Sequence, residues 1–281
     1  MTIAVTGASG NLGRLVVEEL LATTPAEQVV AIVRNPAKVA DLAARGVEVR
    51  RADYSDARLW RPALQGVEKL LLISVSGAGA SEAHRNVIDA AGDAGVGRIA
   101  YTSILHADTS SNPLAGEHAA TERLIAATGI PAVILRNAWY HELYTRMLPQ
   151  YLATGEVIGS TGDGRISGAA RADFATAAVT ALLTEDPQSR TYELGGPAFT
   201  LADLAETITA VTGTTVAHRN LTDDAYAAEL RASGMDSGTI SLIVGTDASI
   251  AAGEMQTDST DLAGLIGRVP APLAEAIRAA A

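Results

Sequence analysis

Residues 1–13 read MTIAVTGASGNLG, and this stretch decides the fold. Ile3-Ala4-Val5-Thr6 is a short run with β-branched side chains that ends in Gly7, Gly10 and Gly13. Leu12, Leu15, Val16 and Leu20 follow at i, i+3, i+4 and i+8, the spacing of one helix face. The glycines therefore sit on a turn from strand to helix. A turn free of Cβ atoms lets a pyrophosphate approach the backbone, and the helix N-terminus offers N–H groups and the positive end of its dipole. In that setting the triplet predicts a bound dinucleotide.

The same alternation continues outward from this turn. Val29 to Val33 reads as a second strand, and Asn35-Pro36 then opens a helix with Asn at the N-cap and Pro at the first position. Val47 to Arg51 is a third strand. Leu70 to Val75 is a continuous apolar run, as a strand covered on both faces requires. A helix over His84 to Ala94, a strand over Arg98 to Ser103, a helix over Glu117 to Ala127 and a strand over Ile130 to Leu135 complete the pattern. This order predicts a doubly wound parallel α/β sheet. After Arg136 the rhythm breaks. Ala138 to Ala153 reads as helix, Gly155 to Arg171 as glycine-rich loop, Ala172 to Leu183 as helix and Tyr192 to Leu194 as a short strand. Two more helices fall at Leu201 to Val211 and Asp223 to Ala232. The expected division is a dinucleotide-binding core over 1–136 and a smaller, substrate-covering α+β region over 137–281, partly packed on the same sheet.

Composition narrows the function classes. The chain has 281 residues, 48% of them hydrophobic with few aromatics, which suits an aliphatic core of parallel strands under helices. Without cysteine there is no disulfide, thiol nucleophile or thiolate metal site. Net charge is −11 with no basic stripe, so nucleic acid is not an expected partner. No run of about 18 apolar residues predicts a membrane span. No export signal is read ahead of the first strand, so a cytoplasmic location is expected.

Arg34 ends the second strand. An acidic residue near this position, roughly 20 residues past the glycines, accepts the ribose hydroxyls of NAD. An arginine there, with Lys38 one turn on, suits a 2′-phosphate and predicts NADPH. Asp53 is a candidate for the adenine amino group or, equally, a helix N-terminal residue. The two lysines, Lys38 and Lys69, both fall outside the Tyr-x-x-x-Lys spacing that activates a phenol for proton transfer. After the strand that carries Ser103 the chain instead places His118 and Glu122 on one helix face. They read either as a histidine oriented by a carboxylate near the nicotinamide or as an exposed i,i+4 pair. Trp139, Tyr140 and Tyr144 cluster past the sixth strand, where substrates of dinucleotide enzymes bind. Arg171, ahead of Asp173, is either a phosphate or substrate contact or a structural ion-pair partner.

TGASGNLG, QVVAIVRNPAK, RADYSD, LQGVEKLLLIS, HRNVIDAA, IAYTSILHADTS, EHAATE, LRNAWYHE, GDGRISGAARADFA and YELGG together resemble the NmrA-like branch of the atypical short-chain dehydrogenases, and within it the type 2 NAD(P)H:quinone oxidoreductases. The resemblance runs over nearly the whole length. It implies a Rossmann domain holding NADPH, a smaller C-terminal lobe, and two-electron reduction of a quinone or another planar acceptor, without metal or flavin. It further implies cofactor contacts at Gly7, Ala8, Ser9, Gly10, Asn11, Leu12 and Arg34, and from Ala138 through Trp139, Tyr140, His141 and Glu142 to Leu143. Ser74 and Arg171 complete the candidate cofactor set, and Tyr140 and His118 are the candidate catalytic residues. A monomer or homodimer is expected. The alternative is a non-catalytic NADP(H)-binding redox sensor, since related NmrA proteins bind dinucleotides without clear catalysis.

Overall fold

In a computed structural model the described residues are 1–186 and 188–281. The strands are β1 (Ile3–Thr6), β2 (Val29–Val33), β3 (Glu48–Arg51), β4 (Lys69–Leu72), β5 (Arg98–Ile104), β6 (Ala132–Asn137), β7 (Glu156–Gly159), β8 (Arg190–Leu194) and β9 (Ala217–Asn220). The helices are α1 (Asn11–Leu21), α2 (Ala40–Ala44), α3 (Trp60–Ala63), α4 (Ala80–Ala94), α5 (Ala115–Thr128), α6 (His141–Thr145), α7 (Leu148–Thr154), α8 (Arg171–Leu183), α9 (Leu201–Thr212), α10 (Asp223–Ala232), α11 (Ser237–Ala251), α12 (Asp261–Ile266) and α13 (Leu273–Ala280). They fall into two compact units.

The first unit holds Met1–Ala107, Gly116–Asn137 and Arg171–Tyr192. Its sheet runs in the order β3-β2-β1-β4-β5-β6-β8. β1 to β6 pair in parallel, with β1 between β2 and β4. This is the doubly wound order, reversing beside β1, that the strand-helix alternation predicts. Ile3, Ala4, Val5 and Thr6 are fully buried, as a strand covered by helices on both faces must be. Helix α1 buries Leu12, Gly13, Val16, Val17 and Leu20. Leu15 is only half-buried, and α8 packs against α1.

That packing departs from the expected single division after residue 136. Helix α8 belongs to the first unit. It buries Phe174, Val179 and Leu182 together with the small Ala175, Ala177, Ala178 and Ala181, and packs against α1, β4, β5 and β6. Its C-terminal end is held by cations from two strands: Lys69 Nζ donates to the Leu183 carbonyl at 3.2 Å, and Arg98 donates to the Asp186 carbonyl. Cations there offset the negative end of the helix dipole.

The second unit holds Asp108–Ala115, Ala138–Ala170 and Glu193–Ala281. Its early segment is tied in by Glu254, whose Oε2 accepts from Ser110 Oγ, the Ser111 amide and Ser111 Oγ at 2.7–2.9 Å. The region expected to be loop from Gly155 contains β7, paired in parallel with β9. Residues 138–140 are extended rather than helical, because the Ala169 amide donates to the Trp139 carbonyl and the His141 amide to the Ala169 carbonyl. Helix α9 opens with a reciprocal cap between Thr200 and Asp203. Among the described residues no helix is long and apolar enough to cross a membrane.

The path of α1 yields a test. A Cβ at Gly13 would lie 2.3 Å from the Gly7 carbonyl oxygen and 2.9 Å from Ala8 Cα. Alanine improves helix propensity by about 1 kcal/mol, but overpacking against backbone costs about 1–3 kcal/mol. Gly13→Ala is expected to destabilise the protein in urea unfolding. Gly92→Ala in α4, where a Cβ meets nothing within 4 Å, is expected to stabilise it. Equal responses at the two sites would contradict the packing argument.

Candidate active site

The glycine turn has the conformation that an anion site at a helix start needs. Gly7 is left-handed (φ +58°), and its carbonyl accepts from the Gly10 amide at 2.8 Å. Gly10 caps α1 without a side chain, which leaves the first helical N–H groups facing outward. A Cβ on Gly10 would stand 3.2 Å from the Gly7 carbonyl oxygen. Ser9, Gly10 and Asn11 are exposed on the turn, whereas Ala8 and Leu12 are buried, so only the backbone of those two can face a ligand.

Arg34 follows β2 and is exposed, as is Lys38. Nearby arginines are committed elsewhere: Arg45 pairs with Glu18 at 2.7 Å, and Arg14 pairs with Asp41 and Glu18. Arg34 makes no hydrogen bond or ion pair among the described residues. Asp53 is turned inward on its own loop. Its Oδ1 accepts from the Ser55 amide at 3.0 Å and the Ser55 hydroxyl at 2.8 Å. These bonds, aided by the charge of Arg34, hold its carboxyl below the usual range. The helical cap read at this place is made by Asp56, which accepts from the Arg58 amide.

Ser74 lies just past β4. Its amide donates to Thr102 Oγ1 at 2.9 Å, and the two hydroxyls are 3.2 Å apart. One residue earlier, the Ile73 amide donates to Thr6 Oγ1 at 2.9 Å, and Tyr54 Oη lies 2.6 Å from both Thr6 Oγ1 and the Ile73 carbonyl. The composition gave no sign of this Tyr54–Thr6 link, which forms between β1 and the loop after β3.

His118 is buried rather than exposed, and Glu122 does not orient it. His118 Nδ1 shares a hydrogen bond with Tyr101 Oη at 2.8 Å. Glu122 binds Arg136 through both oxygens, at 3.0 and 2.7 Å, and accepts from Ser103 Oγ at 2.6 Å. The i,i+4 spacing puts the two side chains on one helix face, but β5 and β6 deliver stronger partners to each. Burial pushes His118 down to about 4, partly offset by Glu122 and Glu117, and burial likewise takes His84 to about 4. Both imidazoles are neutral at neutral pH.

In the second unit, Ala138 is buried and its amide donates to the Leu194 carbonyl at 2.8 Å. Trp139 and Tyr140 are half-buried, and Tyr140 precedes the first residue of α6. His141 is buried against Phe199, with rings 5.8 Å apart, while Glu142 and Leu143 are half-buried. Tyr144 meets Phe199 edge-on at 5.6 Å. Arg171 is the first residue of α8 in the first unit and is half-buried. Asp247 is held by the Ser160 amide at 2.8 Å, and desolvation raises it to about 6. No group of three His, Cys, Asp or Glu among the described residues is arranged to hold a metal.

Comparison with known proteins gives the site a context. The model of the NAD(P)H-binding family matches residues 7–185. Quinone oxidoreductase 2 of Escherichia coli is 47% identical over 277 residues, 98% of this chain and 97% of that protein. The crystal structure of the E. coli NADPH-dependent quinone oxidoreductase with NADPH superimposes with a TM-score of 0.95 over 98% of both chains. The Citrobacter sp. triphenylmethane reductase complexed with NADP(H) is 37% identical, with a TM-score of 0.94 over the full length of both.

The histidines and Asp247 act oppositely on stability. A histidine lowered to about 4 binds fewer protons folded than unfolded between pH 6.5 and 4, so stability falls as pH drops through that window. Asp247, raised to about 6, binds more protons folded, so its contribution is full below its unfolded value of 3.8 and is lost as pH rises through 6. Urea midpoints are expected to fall from pH 6.5 to 4.5. His118→Phe is expected to flatten that slope, and Asp247→Asn to steepen it. A slope unchanged by His118→Phe would show that the imidazole titrates normally.

Proposed function

Because the chain belongs to the NAD(P)H-binding family, within the group that includes E. coli quinone oxidoreductase 2, we propose that it reduces quinones to hydroquinones by two electrons with NADPH as donor. The observation that carries this reading is likeness over the whole length, 98% of both chains, to a quinone oxidoreductase crystallised with NADPH. The glycine turn and the uncommitted Arg34 guanidinium support the choice of cofactor. Bound NADPH supplies a hydride that passes directly to the quinone ring.

Each part of the chain has a task in this reading. The backbone at Gly7, Ala8, Ser9, Gly10, Asn11 and Leu12 receives the pyrophosphate. Arg34 pairs with the 2′-phosphate as a charge-assisted contact. Ser74, Arg171 and the segment from Ala138 to Leu143 contribute further cofactor contacts. Tyr140 positions the planar acceptor. His118, neutral and bonded to Tyr101, is at most an auxiliary proton donor. Quinone reduction tolerates this, because a hydroquinone anion is far less basic than an alkoxide and a weak donor or water can protonate it. The rate then depends chiefly on positioning. The proposed setting is cytoplasmic, with the protein as a monomer or homodimer.

Three measurements test the proposal. Wild type is expected to bind NADPH more tightly than NADH in fluorescence titration, and Arg34→Asp to weaken NADPH by about one to two orders of magnitude. Equal affinity for both nucleotides would contradict the role of Arg34. Gly10→Val is expected to abolish cofactor binding in a folded protein. Tyr140→Ala is expected to lower kcat/KM for quinone more than His118→Ala, whose cost of about tenfold stays below the 10²–10⁴ of an obligatory acid. Firm NADPH binding without turnover on a panel of quinones would favour the redox-sensor reading.

A further inference from the structure

The connection from β4 to α4, residues 73–79, starts against the glycine turn. An atom at the Cβ position of Gly7 would lie 3.9 Å from Ile73 Cβ and 3.8 Å from Tyr54 Oη. The amides of this connection are taken largely by side chains from other elements. Ile73 N–H donates to Thr6 Oγ1, and Ser74 N–H to Thr102 Oγ1, each at 2.9 Å. Val75 N–H donates to His84 Nε2 at 3.0 Å. Gly79 N–H donates to Glu117 Oε1 at 3.1 Å, and Ser81 N–H to Glu117 Oε2 at 2.7 Å.

His84 has one tautomer compatible with these contacts. Its Nε2 accepts from an amide, so the ring proton sits on Nδ1 and is donated to Thr121 Oγ1 at 2.9 Å. The Thr121 hydroxyl in turn donates to the Glu117 carbonyl at 2.9 Å. The ring is 1% exposed and stands edge-on to Tyr54 and Tyr101, with centroids 6.0 and 5.5 Å away. A buried imidazole bonded at both nitrogens and set between two tyrosine rings fixes the place of the Val75 amide. Glu117, on the same helix as Thr121, closes the far end of the connection. Side chains of α5 thus hold the middle of the connection through His84 and its end directly.

We infer that His84 and Glu117 are positioning residues that hold the 73–79 connection against the glycine turn in the conformation that receives the dinucleotide. They take no part in the redox step. The inference rests on the NADPH-binding reading above and adds to it the residues that preorganise the site.

The test compares three variants with wild type. His84→Phe keeps a ring between Tyr54 and Tyr101 but leaves the Val75 amide without an acceptor. His84→Gln restores an acceptor, and Glu117→Ala frees the amides of Gly79 and Ser81. NADPH Kd, read by fluorescence titration, is expected to rise about tenfold in His84→Phe, which strands the part-buried Val75 amide, and about fivefold in Glu117→Ala, whose freed amides at Gly79 and Ser81 lie nearer the solvent. It is expected to stay within about threefold of wild type in His84→Gln. Amide exchange should quicken over 73–81 while β1 and β5 keep their protection, a pattern that general destabilisation would not give. Should His84→Phe not fold, His84→Gln and Glu117→Ala still decide. Wild-type affinity in folded Glu117→Ala and His84→Phe, or exchange that quickens evenly across the sheet, overturns the inference alone. A folded wild type that does not bind NADPH overturns it together with the reading beneath it.

Discussion

The Gly7 carbonyl governs the path of the chain at the centre of the first unit. It accepts from the Gly10 amide, and it lies where a side chain on Gly13 would have to go. A left-handed residue turns the strand, a second glycine leaves its backbone open, and a third lets α1 lie on the turn. A side chain on Gly13 would press α1 off the turn, with its buried Leu12, Val16, Val17 and Leu20. The open backbone of the turn and the packing of α1 thus lie within a few atoms of each other.

Several charged side chains of this molecule are used for structure. Lys69 and Arg98 are strand residues spent on the C-terminal end of α8. Arg136 and Glu122 form a bidentate pair with side chains only 11% and 14% exposed. Removing one partner of such a pair leaves a desolvated charge, which costs more than the pair contributes. Among the described residues Arg34, just past β2, is exposed and its side chain makes no hydrogen bond or ion pair, though its charge helps to lower the pKa of Asp53. In the proposed reading the phosphate of the cofactor is the anion that Arg34 meets.

Features set by neighbours in sequence were legible in the sequence. The glycine turn, the six parallel strands and α1 are each signalled within a dozen residues. What depends on distant partners was not. His118 and Glu122 share a helix face, yet Tyr101 from β5 and Arg136 from β6 decide what each one binds. β7 and β9 are four residues each, lie far apart in the chain, and carry too little periodicity to announce a pairing. Trp139 and Tyr140 sit in a helix-like pattern but are extended, because the backbone at Ala169 claims theirs. Small alanines on α8 gave no hint that this helix covers the first unit's sheet. The glycine turn was readable because it is backbone chemistry. The segment from Ala138 to Tyr144 is set by contacts with Ala169, Leu194 and Phe199, distant in sequence, and was read only as a cluster of aromatics.

The assignment of residues to the two units has a consequence for how such a protein can change. Six segments alternate between the units, so the chain passes from one to the other five times. Neither unit is a continuous stretch, and no single cut releases either one whole. Exchanging the tail 193–281 would replace one of the second unit's three segments and leave 108–115 and 138–170 in place, each flanked by segments of the first unit. Recombination by fragment exchange is correspondingly ill-suited to this architecture. Permuted or split versions would need their breaks inside a surface loop of one unit, since a break at a passage separates a segment from the partners that fold it.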